Sequence, residues 1–204
     1  KRIQSSKKYL MPKNCPECSQ ITIKKEGEAA RKCINTDCKA QKIESLIHFC
    51  SKNGINIDGL GDKQIKLFFK KGILTTYSDI FKLYKKKDEL KNYEGFGELS
   101  INKLLTSIKN SKLVNFDKFL TSLGIKQVGE NTSKILAEHY IDLPNLINNM
   151  TKASNKVSDE FNYLVNIDQI GTTVANDIVN FFNSTRNLNE LNILSKELSI
   201  QPYQ

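Results

Sequence analysis

Four of the five cysteines form two close pairs. Cys15 and Cys18 enclose two residues, and after a further fourteen residues Cys33 and Cys38 enclose four. Two pairs joined by a loop long enough to fold back can direct four thiolates at one point, which is the donor set of a tetrahedral zinc site. Because all four positions are cysteine, no coordination position stays open for catalysis. The spacing therefore predicts a structural Zn²⁺ held by Cys15, Cys18, Cys33 and Cys38.

The alternatives for these cysteines are disulfides and unpaired core thiols. A secreted disulfide scaffold is typically accompanied by a signal peptide and an even number of cysteines, whereas this sequence has five cysteines and no signal-like apolar run. Cys50 lies in the apolar stretch 46–50, where a small buried core residue is the favoured interpretation. His48 and His139 have no constellation of metal-binding or catalytic partners and are interpreted as structural or surface residues.

The segment between the cysteine pairs must bring them together. Ile21, Thr22 and Ile23 alternate as in a strand, and residues 24–28, which include a glycine, are typical of the turn of a β-hairpin. In so short a segment the metal supplies most of the folding free energy, on the order of 10 kcal/mol. Four nearby cations are expected to offset part of the thiolate charge: Arg31, Lys32, Lys39 and Lys42.

The rest of the chain repeats one small pattern four times. In each copy a glycine-bearing turn leads into a segment with the apolar periodicity of a helix. The turns cover residues 57–61, 93–97, 124–129 and 167–171, and the predicted helices cover 62–69, 98–108, 130–139 and 172–182. The sequence thus predicts a mainly α fold, in which a small four-cysteine zinc module is followed by a helical domain of four helix-hairpin-helix motifs.

Each turn has a physical rationale. Glycine permits backbone conformations that are closed to residues with a Cβ atom, and it lets another molecule approach closely. The following helix presents its unpaired N-terminal N–H groups and the positive end of its dipole outward, which suits one phosphate group. A single such turn is better explained as an ordinary helix connection, but four copies in register favour phosphate binding. The apolar residues expected to anchor the turns inward are Leu60, Phe96, Val128 and Ile170.

The four turns differ in the residues that follow the last glycine. In the first three turns an acid follows, and it is expected to cap its own helix close to a bound phosphate; these acids are Asp62, Glu98 and Glu130. In the fourth turn Thr172 and Thr173 follow, and their hydroxyl groups can donate to a phosphate oxygen. The fourth turn is therefore expected to make one of the closer backbone contacts. The expected supporting cations are Lys63, Lys126 and Lys134.

The overall charge is basic but unevenly distributed. The chain has 31 Lys and Arg against 22 Asp and Glu, a net charge of +9, which favours a polyanionic partner. Residues 1–91 carry 21 basic and 10 acidic side chains, whereas residues 92–204 carry 10 and 12. The lysine run within 82–91 is interpreted as a solvated face, and residues 148–159, rich in Asn, Ser and Lys, as a loop. No apolar stretch is long enough to cross a bilayer, which predicts a soluble protein.

Several strings of residues, in this order along the chain, resemble bacterial NAD-dependent DNA ligases. They lie at 12–18, 31–41, 48–49, 57–61, 93–97, 111–112, 123–125, 128–130 and 181–182. The resemblance implies a barrel tail at 1–13, a zinc finger at 14–45 and a helix-hairpin-helix domain at 46–204, with motifs near 57–69, 93–108, 124–139 and 167–182. It also implies catalytic and oligonucleotide-binding (OB) domains upstream and a BRCT domain from about residue 204. The start at Lys1 rather than Met agrees with this expectation of a fragment.

The resemblance also implies a function. This family seals nicks in DNA with NAD and Mg²⁺, in a nucleotidyltransferase domain that carries a Lys-x-Asp-Gly motif. The single Asp-Gly here, Asp58-Gly59, has Asn56 two positions earlier, so the chain alone is expected to be inactive. What the resemblance implies for the chain is sequence-independent binding of duplex or nicked DNA during replication and repair, in the bacterial cytoplasm at the nucleoid. By resemblance, the hairpin residues that hold DNA are Gly59, Gly61, Gly95, Gly97, Gly124, Gly129 and Gly171.

Two other functions use the same modules. The chain could belong to a repair nuclease or a topoisomerase, or it could be a scaffold in which zinc and hairpins only hold domains together. The strings around both cysteine pairs favour the ligase over the nuclease and the topoisomerase.

Overall fold

The computed structural model describes residues 12–24 and 30–204. Most of the expected barrel tail (1–13) and most of the expected turn (24–28) lie outside the described residues. The chain divides into two compact units, Lys1–Glu44 and Ser45–Gln204. The prediction of a mainly α fold with an N-terminal four-cysteine cluster is confirmed.

The first unit is a small β structure around the cysteines. Strand β1 (Thr22–Ile23) pairs antiparallel with β2 (Lys32–Cys33), and a single bridge joins Asn14 to Ile21. The predicted strand at residues 21–23 is therefore present. Helix α1 (Lys39–Cys50) begins directly after Cys38.

The second unit is built from short helices. They are α2 (Asp62–Lys70), α3 (Tyr77–Ile80), a 3-10 helix (Leu83–Lys86), α4 (Lys87–Leu90), α5 (Glu98–Asn110), α6 (Phe116–Ser122), α7 (Glu130–Tyr140), α8 (Leu143–Lys152), α9 (Asp159–Asn166), α10 (Thr172–Phe182) and α11 (Thr185–Glu197). Strands β3 (Leu113–Asn115) and β4 (Ser199–Gln201) pair in parallel and join the end of the chain to the middle. In the described part of the chain no helix is long and apolar enough to span a bilayer.

The four predicted helices begin where the pattern places them, because each has an apolar stripe that the core can bury. In α5 the stripe is Ile101, Leu104 and Ile108, all buried. In α10 the apolar residues at helical spacing include Val174, Ile178 and Phe181, but of these three only Ile178 is buried. This helix is apolar on most sides, so periodicity alone does not select a face. The residues of α10 that the core buries are Ala175, Ile178, Val179 and Phe182.

The predicted loop at 148–159 is wrong over its first part, because α8 continues to Lys152. Burial of Leu146 and Met150 in the core stabilises this helix, and both side chains are fully buried. Its start is fixed by Asp142, whose side chain accepts a hydrogen bond from the Asn145 amide at 2.8 Å. An Asn-rich composition indicated a loop, but an apolar stripe with helical spacing decides the structure.

The lysine run within 82–91 forms the 3-10 helix and α4 rather than a uniformly solvated face. Leu83 and Leu90 of this segment are buried. Lys85 is exposed, whereas Lys86 is half-buried and its Nζ donates to the Ile73 carbonyl at 3.5 Å. The lysines thus surround two core leucines.

Candidate zinc site and nucleic-acid interface

The four predicted metal ligands lie together. Their sulfur atoms are all within 4.8 Å of one another. The Cys15 and Cys38 sulfurs are 3.9 Å apart, and those of Cys18 and Cys33 are 3.5 Å apart. A tetrahedral zinc with Zn–S bonds of about 2.3 Å needs sulfurs about 3.8 Å apart, whereas a disulfide needs about 2.05 Å. The spacing fits a metal and excludes disulfides between these pairs.

Backbone turns hold the two cysteine pairs in place. The Cys15 amide donates to the Gln20 carbonyl at 2.8 Å, and the Ser19 amide donates to the Cys15 carbonyl at 2.8 Å. In the second pair the Cys38 amide donates to the Asn35 carbonyl at 3.1 Å. Each pair therefore lies on a tight turn that directs both sulfurs to the same side, as the spacing predicted.

Two of the four cations expected around the thiolates, Arg31 and Lys42, have other partners. Arg31 donates through Nε to the Thr22 hydroxyl at 2.8 Å and through Nη2 to the Thr22 carbonyl. The Lys42 ammonium lies 2.9 Å from the Asp37 carboxylate. Arg31 thus holds β1 in place, and the charge of Lys42 is shared with an acid.

Two thiols of the cluster, Cys18 and Cys33, have pKa values shifted in opposite directions. A hydrogen bond from the Gln20 backbone, followed by one from the Asn35 side chain, lowers the pKa of Cys18 to about 6. For Cys33 the largest influence, a hydrogen bond from the Asn35 backbone, lowers the pKa, but burial and the neighbouring Cys18 and Cys15 thiols raise it to about 12. A bound Zn²⁺ supplies the charge that lets all four become thiolates.

The other candidate ligands stay outside this cluster. Cys50 is buried, and burial raises the pKa of its thiol to about 12, so it is an inert core residue. The His48 Nε2 lies 2.8 Å from the Thr121 carbonyl oxygen, and the His139 Nδ1 lies 2.7 Å from the Tyr163 hydroxyl.

The four turns share one backbone conformation over five residues. We name them hairpins 1 to 4: residues 57–61, 93–97, 125–129 and 167–171. In each, the amide of the fourth residue donates to the carbonyl of the first, at 3.4, 3.0, 2.9 and 3.0 Å respectively. The third residue is left-handed, with φ values of +86° at Gly59, +84° at Gly95, +63° at Gln127 and +66° at Gln169. The fourth residue is buried in every hairpin, as predicted; these residues are Leu60, Phe96, Val128 and Ile170.

The assignment of Gly124 to the third hairpin is wrong by register. The position equivalent to Gly59 and Gly95 is Gln127, and Gly124 lies one residue before hairpin 3. Its amide donates to the Thr121 carbonyl at 3.3 Å, with φ at +62°, so it ends α6. A Cβ atom there would lie 3.2 Å from the His48 ring, so the protein itself accounts for this glycine.

Of the two reasons expected for glycine in these turns, a special backbone conformation does not apply to the last glycine of each hairpin, whereas open space for another molecule does. These residues are N-caps with φ between −94° and −69°, a range open to any residue; they are Gly61, Gly97, Gly129 and Gly171. At three of them an added Cβ atom would meet no described atom within 4 Å. Neither backbone conformation nor internal packing requires glycine there. The space beside these glycines is open to another molecule.

The first turns of the four helices are uncapped by side chains. The N-cap residue makes no side-chain hydrogen bond in α2, α5, α7 or α10. The expectation that the acids cap their helices is wrong, because Asp62, Glu98 and Glu130 occupy the first helical position and glycine occupies the N-cap. In α10 the exposed Thr172 and Thr173 take the first two helical positions. Each helix thus presents bare amides beside the positive end of its dipole.

The predicted supporting cations lie on this surface. Lys63 and Lys134 are exposed on α2 and α7. The Lys126 ammonium, also exposed, lies 3.9 Å from an Asp177 carboxylate oxygen. Sequence reasoning did not single out Asp177, nor the side chains of Gln127 and Gln169. Aligning the four turns on their last glycine would have revealed a glutamine where the first two have glycine.

Comparison with known proteins agrees with this geometry. Residues 14–40 match the NAD-dependent DNA ligase C4 zinc finger domain, and residues 118–191 match the helix-hairpin-helix motif. The DNA ligase of Pelobacter propionicus is 38% identical over 217 residues, covering 100% of this chain and 31% of the relative. The chain corresponds to the zinc-finger and helix-hairpin-helix region of NAD-dependent DNA ligases. The four clustered cysteines are therefore a C4 zinc finger, and the cofactor of this region is zinc.

Other relatives extend the match. The DNA ligase of Wolbachia pipientis is 39% identical over 204 residues, covering 98% of this chain and 30% of the relative. The DNA ligase of Bacillus pumilus is 39% identical over 199 residues, covering 98% of this chain and 28% of the relative. The chain thus spans less than a third of the length of these ligases, and no catalytic domain is evident in it.

We expect the chain to bind one Zn²⁺ and Cys33→Ser to weaken that binding at least about 100-fold, more than the loss of a residue that only supports a ligand. Three thiolates leave one coordination position to water. Zinc content after dialysis against a competing chelator, measured by atomic absorption, checks this. Cys50→Ala is the matched control, because it removes a buried thiol outside the cluster. Full zinc retention by Cys33→Ser, or zinc loss by Cys50→Ala, would contradict the assignment.

Proposed function

We propose that this chain binds the sugar–phosphate backbone of duplex or nicked DNA without sequence preference, through the N-terminal amides of α2, α5, α7 and α10. The observation that carries the proposal is the repeated N-cap glycine, which neither the backbone conformation nor a contact with the described residues requires. A Cβ atom at that position would obstruct a phosphate approaching the first helical amides. Contacts of this kind carry no base information, so binding is sequence-independent.

The charge distribution supports amides rather than lysines as the main contacts of hairpins 3 and 4. Residues 92–204 carry slightly more acidic than basic side chains, so bulk attraction contributes little there. A helix N-terminus attracts an anion without a full positive charge. Thr172 and Thr173 add hydroxyl donors where the other helices begin with an acid, so hairpin 4 makes one of the closest contacts.

The proposed DNA contacts combine the hairpin amides with a few side chains. The glycines are Gly59, Gly61, Gly95, Gly97, Gly129 and Gly171. The side chains are Lys63, Lys126, Lys134, Thr172 and Thr173.

We further propose that the whole protein is an NAD-dependent ligase that seals nicks in DNA during replication and repair at the nucleoid of the bacterial cytoplasm. In it, the zinc finger (14–45) links an upstream OB barrel, ending near residue 13, to the helix-hairpin-helix domain (46–204). NAD and Mg²⁺ belong to the upstream catalytic domain. This chain, which lacks a Lys-x-Asp-Gly motif, positions DNA and does not ligate it.

The first test separates DNA binding from a purely structural scaffold. We expect a labelled duplex to bind at low salt, with the logarithm of the association constant falling linearly with log[salt] at roughly −0.9 per phosphate neutralised. Two duplexes of unrelated sequence should bind equally well. Fluorescence anisotropy across a salt series measures both. Absence of binding at the lowest salt would favour the scaffold, and a strong preference for one sequence would rule out backbone contacts as the basis of binding.

The second test uses a substitution that should lower DNA affinity without lowering the stability of the protein. Gly171→Asp places a good N-cap residue at an unstrained position, so stability should stay equal or rise by a few tenths of a kcal/mol. The same carboxylate occupies the amides and repels a phosphate, so DNA affinity should fall about tenfold or more. Urea unfolding and anisotropy measure the two effects.

Asn115→Asp is the matched control for this substitution. Asn115 is the N-cap of α6, a helix that does not follow a hairpin. The Asn115→Asp substitution adds the same charge at a helix start. Because no hairpin precedes that helix, its effect on DNA affinity should be much smaller than that of Gly171→Asp. Equal losses from both variants would reduce the effect to net charge and contradict the hairpin contact.

A further inference from the structure

Hairpins 3 and 4 differ from hairpins 1 and 2 at the left-handed residue. Gly59 and Gly95 adopt a positive φ without steric cost, whereas Gln127 and Gln169 carry a Cβ that disfavours it. A residue with a side chain stays in this conformation only where its surroundings hold it. The structure therefore must contain contacts that hold the two glutamines.

Those contacts come in both cases from the neighbouring motif. Gln127 of hairpin 3 donates through Nε2 to an Asp177 carboxylate oxygen on α10, and the Lys126 ammonium lies 3.9 Å from the same oxygen. Gln169 of hairpin 4 accepts through Oε1 from the Asn131 side-chain amide on α7 at 3.0 Å. Each hairpin is thus held by the helix that the other hairpin begins.

The first two motifs are joined in a different way. The Asp58 backbone amide of hairpin 1 donates to the Ser107 hydroxyl on α5 at 2.8 Å. A Cβ atom at Gly59 would lie 3.6 Å from the Leu104 side chain, which is ordinary contact. Their left-handed residues have no side chain through which another motif could hold them.

We propose that Asp177 and Asn131 are positioning residues that brace hairpins 3 and 4 reciprocally, so that both present their amides to one duplex as a single unit. This inference rests on the proposed function. Asp177 acts through Gln127 and Lys126 and contacts no phosphate itself. Without it, Gln127 relaxes from the left-handed conformation and the start of α7 loses its alignment with that of α10.

The brace predicts a result opposite to simple electrostatics. Asp177→Ala removes a negative charge from a DNA-binding surface, which by charge alone would tighten binding. If the brace holds hairpin 3, the same variant instead weakens binding about five- to tenfold. Asp177→Asn should keep most of the affinity, because its side-chain oxygen still accepts from Gln127. Glu160→Ala is the control, since Glu160 pairs with Lys152 of α8 at 3.5 Å rather than with a hairpin residue.

A double-mutant cycle decides whether the effect passes through residue 127. Gln127→Gly removes the need for a brace, because glycine adopts the left-handed conformation freely. In the Gln127→Gly background, Asp177→Ala should therefore lower the DNA affinity of the full chain by less than about twofold. Anisotropy with a labelled nicked duplex measures this affinity. Tighter binding by Asp177→Ala, or an equal loss in both backgrounds, overturns the proposal.

Urea unfolding of the same four proteins separates this proposal from the proposed function. If the wild-type chain binds no duplex, the proposed function fails, and with it the claim that the brace serves DNA binding. The contact between Asp177 and Gln127 is then tested by the free energy of unfolding. Non-additive effects of Asp177→Ala and Gln127→Gly on that free energy support the contact, and additive effects overturn it.

Discussion

The first amides of an α-helix have no partner within the helix and must find one elsewhere. In most helices a side chain at the N-cap supplies it. Here four helices begin behind a glycine that supplies none, and the amides stay at the surface. The rest of each motif maintains this arrangement: a left-handed residue closes the hairpin, an apolar fourth residue such as Leu60 or Ile170 anchors it in the core, and the helix behind it buries its stripe.

The first unit depends on a metal centre, rather than on a hydrophobic core, for its stability. Two strands of two residues each bury too little apolar surface to fold alone. Four sulfurs within 4.8 Å of one another give this unit a metal centre instead. The Arg31 contacts to Thr22 and the turns at each cysteine pair set the direction of the sulfurs, so the metal fixes the geometry that the short strands cannot.

Much of this arrangement was predictable from sequence, because it is encoded locally. The cysteine spacing predicted the cluster, and the repeated turns predicted where α2, α5, α7 and α10 begin. Register was the main failure: Gly124 resembles a hairpin glycine but ends a helix, and the left-handed residue of hairpin 3 is Gln127. The buried face of α10 and the extent of α8 depend on packing against other helices, which composition does not reveal. The Asp177 and Asn131 contacts join distant segments and have no local signal.

The most direct measurement of the central claim is the response of individual backbone amides to DNA. In ¹⁵N-resolved NMR spectra of the whole chain titrated with a nicked duplex, the account predicts the largest shifts at the helix starts, residues 62–64, 98–100, 130–132 and 172–174. Shifts concentrated in the lysine run at 82–91, with those helix starts unchanged, would contradict it.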